Sequence, residues 1–168
     1  MKVTRLDVTV AVLAGLTVLT MKFNFDVWAL FIGWAWYFAL GAKVSIFKKA
    51  IPALFVGYIL AGIAVLVYAA AGFNFYVLIA AVAVTVFLLM LSIKVPILSC
   101  SLASFNAYSC MFVGYYAGDF PKVKTAALDL NNIIIAILWI ALANIVGILC
   151  GWISVSVGNA GSKVKQKA

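Results

Sequence analysis

The residues best suited to chemistry lie in one stretch, Pro96 to Gly118, PILSCSLASFNAYSCMFVGYYAG. It is long enough to cross a bilayer, yet it carries Ser99, Cys100, Ser101, Ser104, Asn106, Ser109 and Cys110. On a helix turning about 100° per residue, Ser99, Ala103, Asn106, Cys110, Gly114 and Ala117 fall on one narrow stripe. Ser101, Ser104 and Tyr108 form a second polar face of the same helix. Hydroxyls, thiols and an amide so arranged can bond a small neutral solute. Lipid gives them no partner, so the stripe must face other helices or a wet path. Two readings stay open: close helix packing through small residues, or the lining of a solute route.

Other chemistries are poorly supplied. The chain has no His, so it lacks a Ser-His or Cys-His pair and an imidazole proton relay. Its four acidic residues, Asp7, Asp26, Asp119 and Asp129, all fall near the ends of apolar runs, where they suit the positive end of a helix dipole. No phosphate loop or dinucleotide fingerprint occurs. The three cysteines, Cys100, Cys110 and Cys150, lie inside apolar runs and suit neither a disulfide framework nor a metal site. We therefore expect no enzyme activity, no metal and no cofactor. Carriers coupled to ions usually hold an ionisable residue within the membrane. None lies inside an apolar run here, so any cargo would be small, neutral and passively moved. Asn132 and Asn144 are further candidates for such a path. A buried amide in lipid must bond something, at a cost of several kcal/mol, order of magnitude, if it does not.

These side chains sit in a chain that is 68% hydrophobic and 10% charged over 168 residues, with a mean hydropathy of +1.24. Soluble domains average about 25% charged residues. Such a chain cannot cover a core with polar surface, and the bilayer becomes its solvent. The net charge of +8 does not point to nucleic acid, because the bases stand between apolar runs.

The pattern predicts an all-α polytopic domain over residues 1–157, with spans at about 6–21, 26–42, 50–72, 76–93, 96–118 and 128–157. A basic cytoplasmic tail follows at 158–168. The first run resembles a signal peptide but has no A-x-A site before Phe23, and it reads as a retained span. Pro52, Pro96 and Pro121 fall at or just before expected span starts, where a missing N–H is tolerated. With the N-terminus inside, nine bases lie on inner segments: Lys2, Arg5, Lys43, Lys48, Lys49, Lys94, Lys163, Lys165 and Lys167. Only Lys22, Lys122 and Lys124 lie outside. That bias places both termini in the cytoplasm.

The turns repeat. Phe23-Asn24-Phe25-Asp26-Val27 returns as Phe73-Asn74-Phe75-Tyr76-Val77, and Asp119-Phe120-Pro121-Lys122-Val123 makes the third turn. Phe55-Val56-Gly57-Tyr58 matches Phe112-Val113-Gly114-Tyr115. The chain thus reads as three in–out–in hairpins in parallel repeat. Asn24, Asn74 and Asp119 are expected to cap the helices that follow them. A ring of polar groups at an outer mouth is the functional alternative. Small residues four apart, Gly57 and Ala61, Gly114 and Gly118, and Ala143, Gly147 and Gly151, mark helix contacts. The last ridge could pack within the bundle or build a homo-oligomer.

Val27-Trp28-Ala29-Leu30-Phe31-Ile32-Gly33-Trp34-Ala35, the basic loop after Gly41, and Phe112-Val113-Gly114-Tyr115-Tyr116-Ala117-Gly118 resemble the YcdZ-like family over about Val8 to Val157. These are small bacterial inner-membrane proteins grouped as a domain of unknown function. The resemblance implies a bacterial inner-membrane location and brings no substrate or site residues. In plan, the hairpins are similar to small-solute channels such as urea channels, an analogy of fold alone. The expectation is an inner-membrane protein in contact with the lipid bilayer that passes a small neutral solute. The alternative is a non-transporting scaffold or subunit.

Overall fold

A computed structural model describes residues 2–117 and 130–160. Among the described residues there are six α-helices and no strand. They are α1 (Arg5–Thr17), α2 (Val27–Ala39), α3 (Ser45–Ala70), α4 (Phe75–Ser92), α5 (Ser101–Ala117) and α6 (Leu130–Asn159). Short 3-10 segments, Val18–Phe23 and Pro96–Leu98, extend α1 and precede α5. Among the described residues four segments are long and apolar enough to cross a membrane: Arg5–Phe23, α3, α4 and α6. The second expected span, at about 26–42 already short for a bilayer, holds α2, which has 13 residues. At 1.5 Å per residue α2 spans about 20 Å, against about 30 Å of hydrocarbon.

Local chemistry sets these limits. Helix α1 opens with a capping box: the Asp7 amide donates to Thr4 Oγ1 at 3.3 Å, and the Thr4 amide donates to Asp7 Oδ2 at 2.7 Å. Helix α2 stops because Gly41 (φ 93°) and Ala42 (φ 55°) turn left-handed, a conformation glycine adopts freely and alanine does not. The Ala42 amide then bonds Tyr37 O at 2.9 Å, and the Tyr37 hydroxyl bonds Ala42 O at 3.0 Å.

One expectation about the prolines changes. Helix α3 starts at Ser45 rather than near Ala50, so Pro52 lies inside it. Its missing N–H leaves the Lys48 carbonyl without the usual helix partner. The basic turn through Lys48 and Lys49, expected as loop, is helical. Pro96 does stand at the first turn of its 3-10 segment. Pro121 lies outside the described residues, as do the third turn and the tail from residue 161.

The chain divides into two compact units. One comprises residues 1–46 and 143–168, and the other 47–142. Helix α6 supplies both, its first part to the second unit and its last part to the first.

Candidate functional site

In the unit of residues 47–142, α5 lies close on α3. A Cβ on Gly57 would press on the Ser104 carbonyl oxygen and stand 3.0 Å from Ala107 Cβ. Gly62 of α3 meets α6, with Ile133 Cγ2 3.1 Å from where a Cβ would be. The buried side of α5 carries Ala103, Ser104, Ala107, Tyr108, Cys110, Met111 and Tyr115, while Ser101, Phe105, Ser109 and Val113 are exposed. The expected stripe is therefore split. Ser99 is exposed and its hydroxyl donates to Pro96 O at 2.8 Å. Asn106 is half-buried, and Cys110 is buried.

The second polar face is better enclosed. Ser104 is fully buried, and its hydroxyl donates to Ser101 O at 3.1 Å. The buried Tyr108 hydroxyl meets Thr85 Oγ1 of α4 at 2.8 Å. Thr85 donates to Ala81 O at 2.7 Å, so Tyr108 donates to Thr85. The sequence pattern had not singled out Thr85. Its signal was there: it is the one polar residue between Tyr76 and Leu91 in an otherwise apolar run. Asn132 is half-buried in the first turn of α6.

Asn144 belongs to the other unit. It is fully buried, and its side-chain amide donates to Ala29 O of α2 at 2.6 Å. Around that bond α2 and α6 come to backbone contact. A Cβ on Gly33 would press on the Asn144 carbonyl oxygen, and one on Gly147 on the Leu30 carbonyl oxygen. Gly151 faces the Tyr37 ring, whose Cδ1 would lie 2.8 Å from a Cβ there. The Ala143–Gly147–Gly151 ridge is thus used inside its own unit, against α2. Its counterpart on α2, Ala29 and Gly33, has the same spacing of four and was legible in principle. Gly15 of α1 differs, with nothing within 4 Å.

The outer turns also differ from one another. Asn74 caps α4, its side chain accepting from the Tyr76 amide at 2.9 Å. Asn24 is left-handed (φ 53°) and closes the 3-10 segment before it, and α2 begins after Asp26. The Trp28 indole donates to Asp26 Oδ1 at 3.2 Å. Asp119 lies outside the described residues.

The other buried polar side chains are satisfied locally: Thr17 donates to Ala14 O at 2.7 Å and Ser154 to Gly151 O at 2.8 Å. Two indoles are exceptions. Trp34 and Trp36 are 3% and 2% exposed, and neither Nε1–H finds an acceptor among the described residues. No group of His, Cys, Asp and Glu that could hold a metal occurs among the described residues.

This helical architecture, with its apolar spans, accompanies a match to the family described as "Protein of unknown function (DUF1097)" over residues 7–159. The chain belongs to DUF1097. No curated protein and no solved structure matches it. The DUF1097 match runs from the first turn of α1 to the last residue of α6, so it takes in both units.

Proposed function

We propose that this DUF1097 protein is a sealed, six-span inner-membrane protein that works as a scaffold or subunit rather than as a conduit. Its three hairpins turn on the outer face, and both termini lie in the cytoplasm. The single observation that carries this reading is the fate of the buried polar side chains. Thr17, Thr85, Ser104, Asn144 and Ser154 are each 7% exposed or less, and each donates to a backbone carbonyl of its own or a neighbouring helix. A water-filled route needs polar groups held open for its cargo. These groups are already occupied, as a dry membrane interior requires. The short α2 fits such a protein when its ends reach protein or headgroups rather than lipid.

A second reading keeps one observation of its own. The Trp34 and Trp36 indole donors are buried without acceptors among the described residues, and such donors could bind a carbonyl-bearing neutral solute or a water. Solute-driven swelling of liposomes containing the purified protein decides between the two. The panel is urea, acetamide, glycerol and water. The scaffold reading expects rates equal to those of empty liposomes throughout. Faster entry of one solute, lost in Trp34→Phe, would overturn it in favour of a facilitator.

A further inference from the structure

We propose that the cavity where α2 and α6 end seats the headgroup of phosphatidylethanolamine. The cavity holds about 300 Å³ and lies wholly within the unit of residues 1–46 and 143–168. Its walls include Tyr37, Ala42, Val44, Trp152, Ser156 and Asn159. It is a built feature rather than a gap between loose loops. Gly151 lets the Tyr37 ring lie flat against α6, and the Tyr37 hydroxyl ties down the left-handed turn at Ala42.

The chemistry of the walls selects the ligand. Two helices end here, α2 at Ala39 and α6 at Asn159, and both present the negative ends of their dipoles. Among the described residues no acidic or basic side chain lines the cavity. Its interior therefore favours a small cation that can donate hydrogen bonds, with the Asn159 amide oxygen and the Ser156 hydroxyl as acceptors. The Trp152 ring, 41% exposed, adds a face that attracts an ammonium group. Lys43 sits between the lining residues Ala42 and Val44 and is exposed. As a base flanked in sequence by two lining residues, it is the group assigned to the phosphate that follows the ammonium. Phe38 and Ile153, 38% and 39% exposed, offer apolar surface to acyl chains on the same two helices. A primary ammonium followed by a phosphodiester and two acyl chains is the aminophospholipid. A choline group cannot donate N–H bonds, and a glycerol headgroup carries no cation.

The inference rests on the membrane-inserted reading above, and its test separates the two. Full-length protein is purified in detergent and stripped of lipid. Its unfolding temperature is then measured with added phosphatidylethanolamine, phosphatidylcholine or phosphatidylglycerol. Phosphatidylethanolamine is expected to raise it by about 5 °C more than the other two, from saturation of one native-state site. Asn159→Leu should remove that preference, whereas Lys43→Gln, at the group assigned to the phosphate common to all three lipids, should lower the phosphatidylethanolamine shift itself; Lys43 is exposed, so its variant keeps the fold. Equal shifts with phosphatidylcholine would overturn the site, as would a larger shift with phosphatidylglycerol or a preference that survives Asn159→Leu. Alkaline carbonate extraction of membranes reports separately. Release of the chain into the soluble fraction would overturn membrane insertion itself, whereas retention with no lipid preference would overturn only the headgroup site.

Discussion

Replacing Gly147 by alanine should destabilise the protein, although alanine is the better helix former. A methyl group there would press on the Leu30 carbonyl oxygen and stand 2.8 Å from the Trp34 backbone nitrogen. Both are backbone atoms, which no rotamer change can move. Either α2 and α6 separate or the contact stays strained, at about 1–3 kcal/mol for overpacking. Separation also stretches the 2.6 Å bond from Asn144 to Ala29 O. Interhelical hydrogen bonds in membranes average about 0.6 kcal/mol and reach about 1.7. The helix propensity of alanine returns about 1 kcal/mol. The net loss is about 1–3 kcal/mol, or roughly 2–12 °C in unfolding temperature for a chain of this size. Gly15→Ala is the control. Nothing lies within 4 Å of that position, so only the propensity gain of about 0.5–1 kcal/mol remains, and the temperature should rise by roughly 1–4 °C. Thermal unfolding of both variants in one detergent is the assay. A Gly147→Ala protein as stable as the parent would refute the backbone contact between α2 and α6.

Two further outcomes are expected. Tyr108→Phe removes the donor to Thr85 but leaves Thr85 bonded to Ala81 O, so it should lower stability by about 0.5–1.5 kcal/mol. A double-mutant cycle with Thr85→Val, read by thermal unfolding, should return a coupling of about 0.6 kcal/mol, and a coupling of zero would separate the pair. Ala42→Gly should stabilise the turn after α2 by about 1 kcal/mol, because alanine at φ 55° carries a penalty that glycine escapes; a lower unfolding temperature would contradict the left-handed geometry.

The helices themselves were legible because each is a long apolar run closed by polar or glycine-containing turns. Their partners were not. Gly147 and Gly151 announced a close contact by spacing, but a small residue only permits approach and does not name the helix that approaches. The matching pair Ala29 and Gly33 was hidden among the tryptophans of α2. The start of α3 was misplaced because hydropathy drops at Lys48 and Lys49, while helix propagation depends on the backbone, and lysine is a good helix former. Asn24 and Asn74 share a motif yet close different ends, because asparagine serves both as an N-cap and as a left-handed residue. For the candidate site, the expected stripe comes apart: Ser99 precedes α5 and is exposed, Asn106 is half-buried and Cys110 is buried. The meaning of the second polar face depended on hydrogen bonds back to the same helix, such as Ser104 to Ser101 O, which no spacing rule foretells.

The sharing of α6 between the two units has a consequence in time. Ala29 and Asn144 are 115 residues apart, and a ribosome adding about 5–20 residues per second needs roughly 6–23 s to make the intervening chain. Throughout that interval α2 has been synthesised without its mate. Its Gly33 groove is open and its indoles are unpacked, while the unit of residues 47–142 gathers its own helices. The bond between α2 and α6 can therefore form only after residue 144 has been made, and until then α2 lacks this partner.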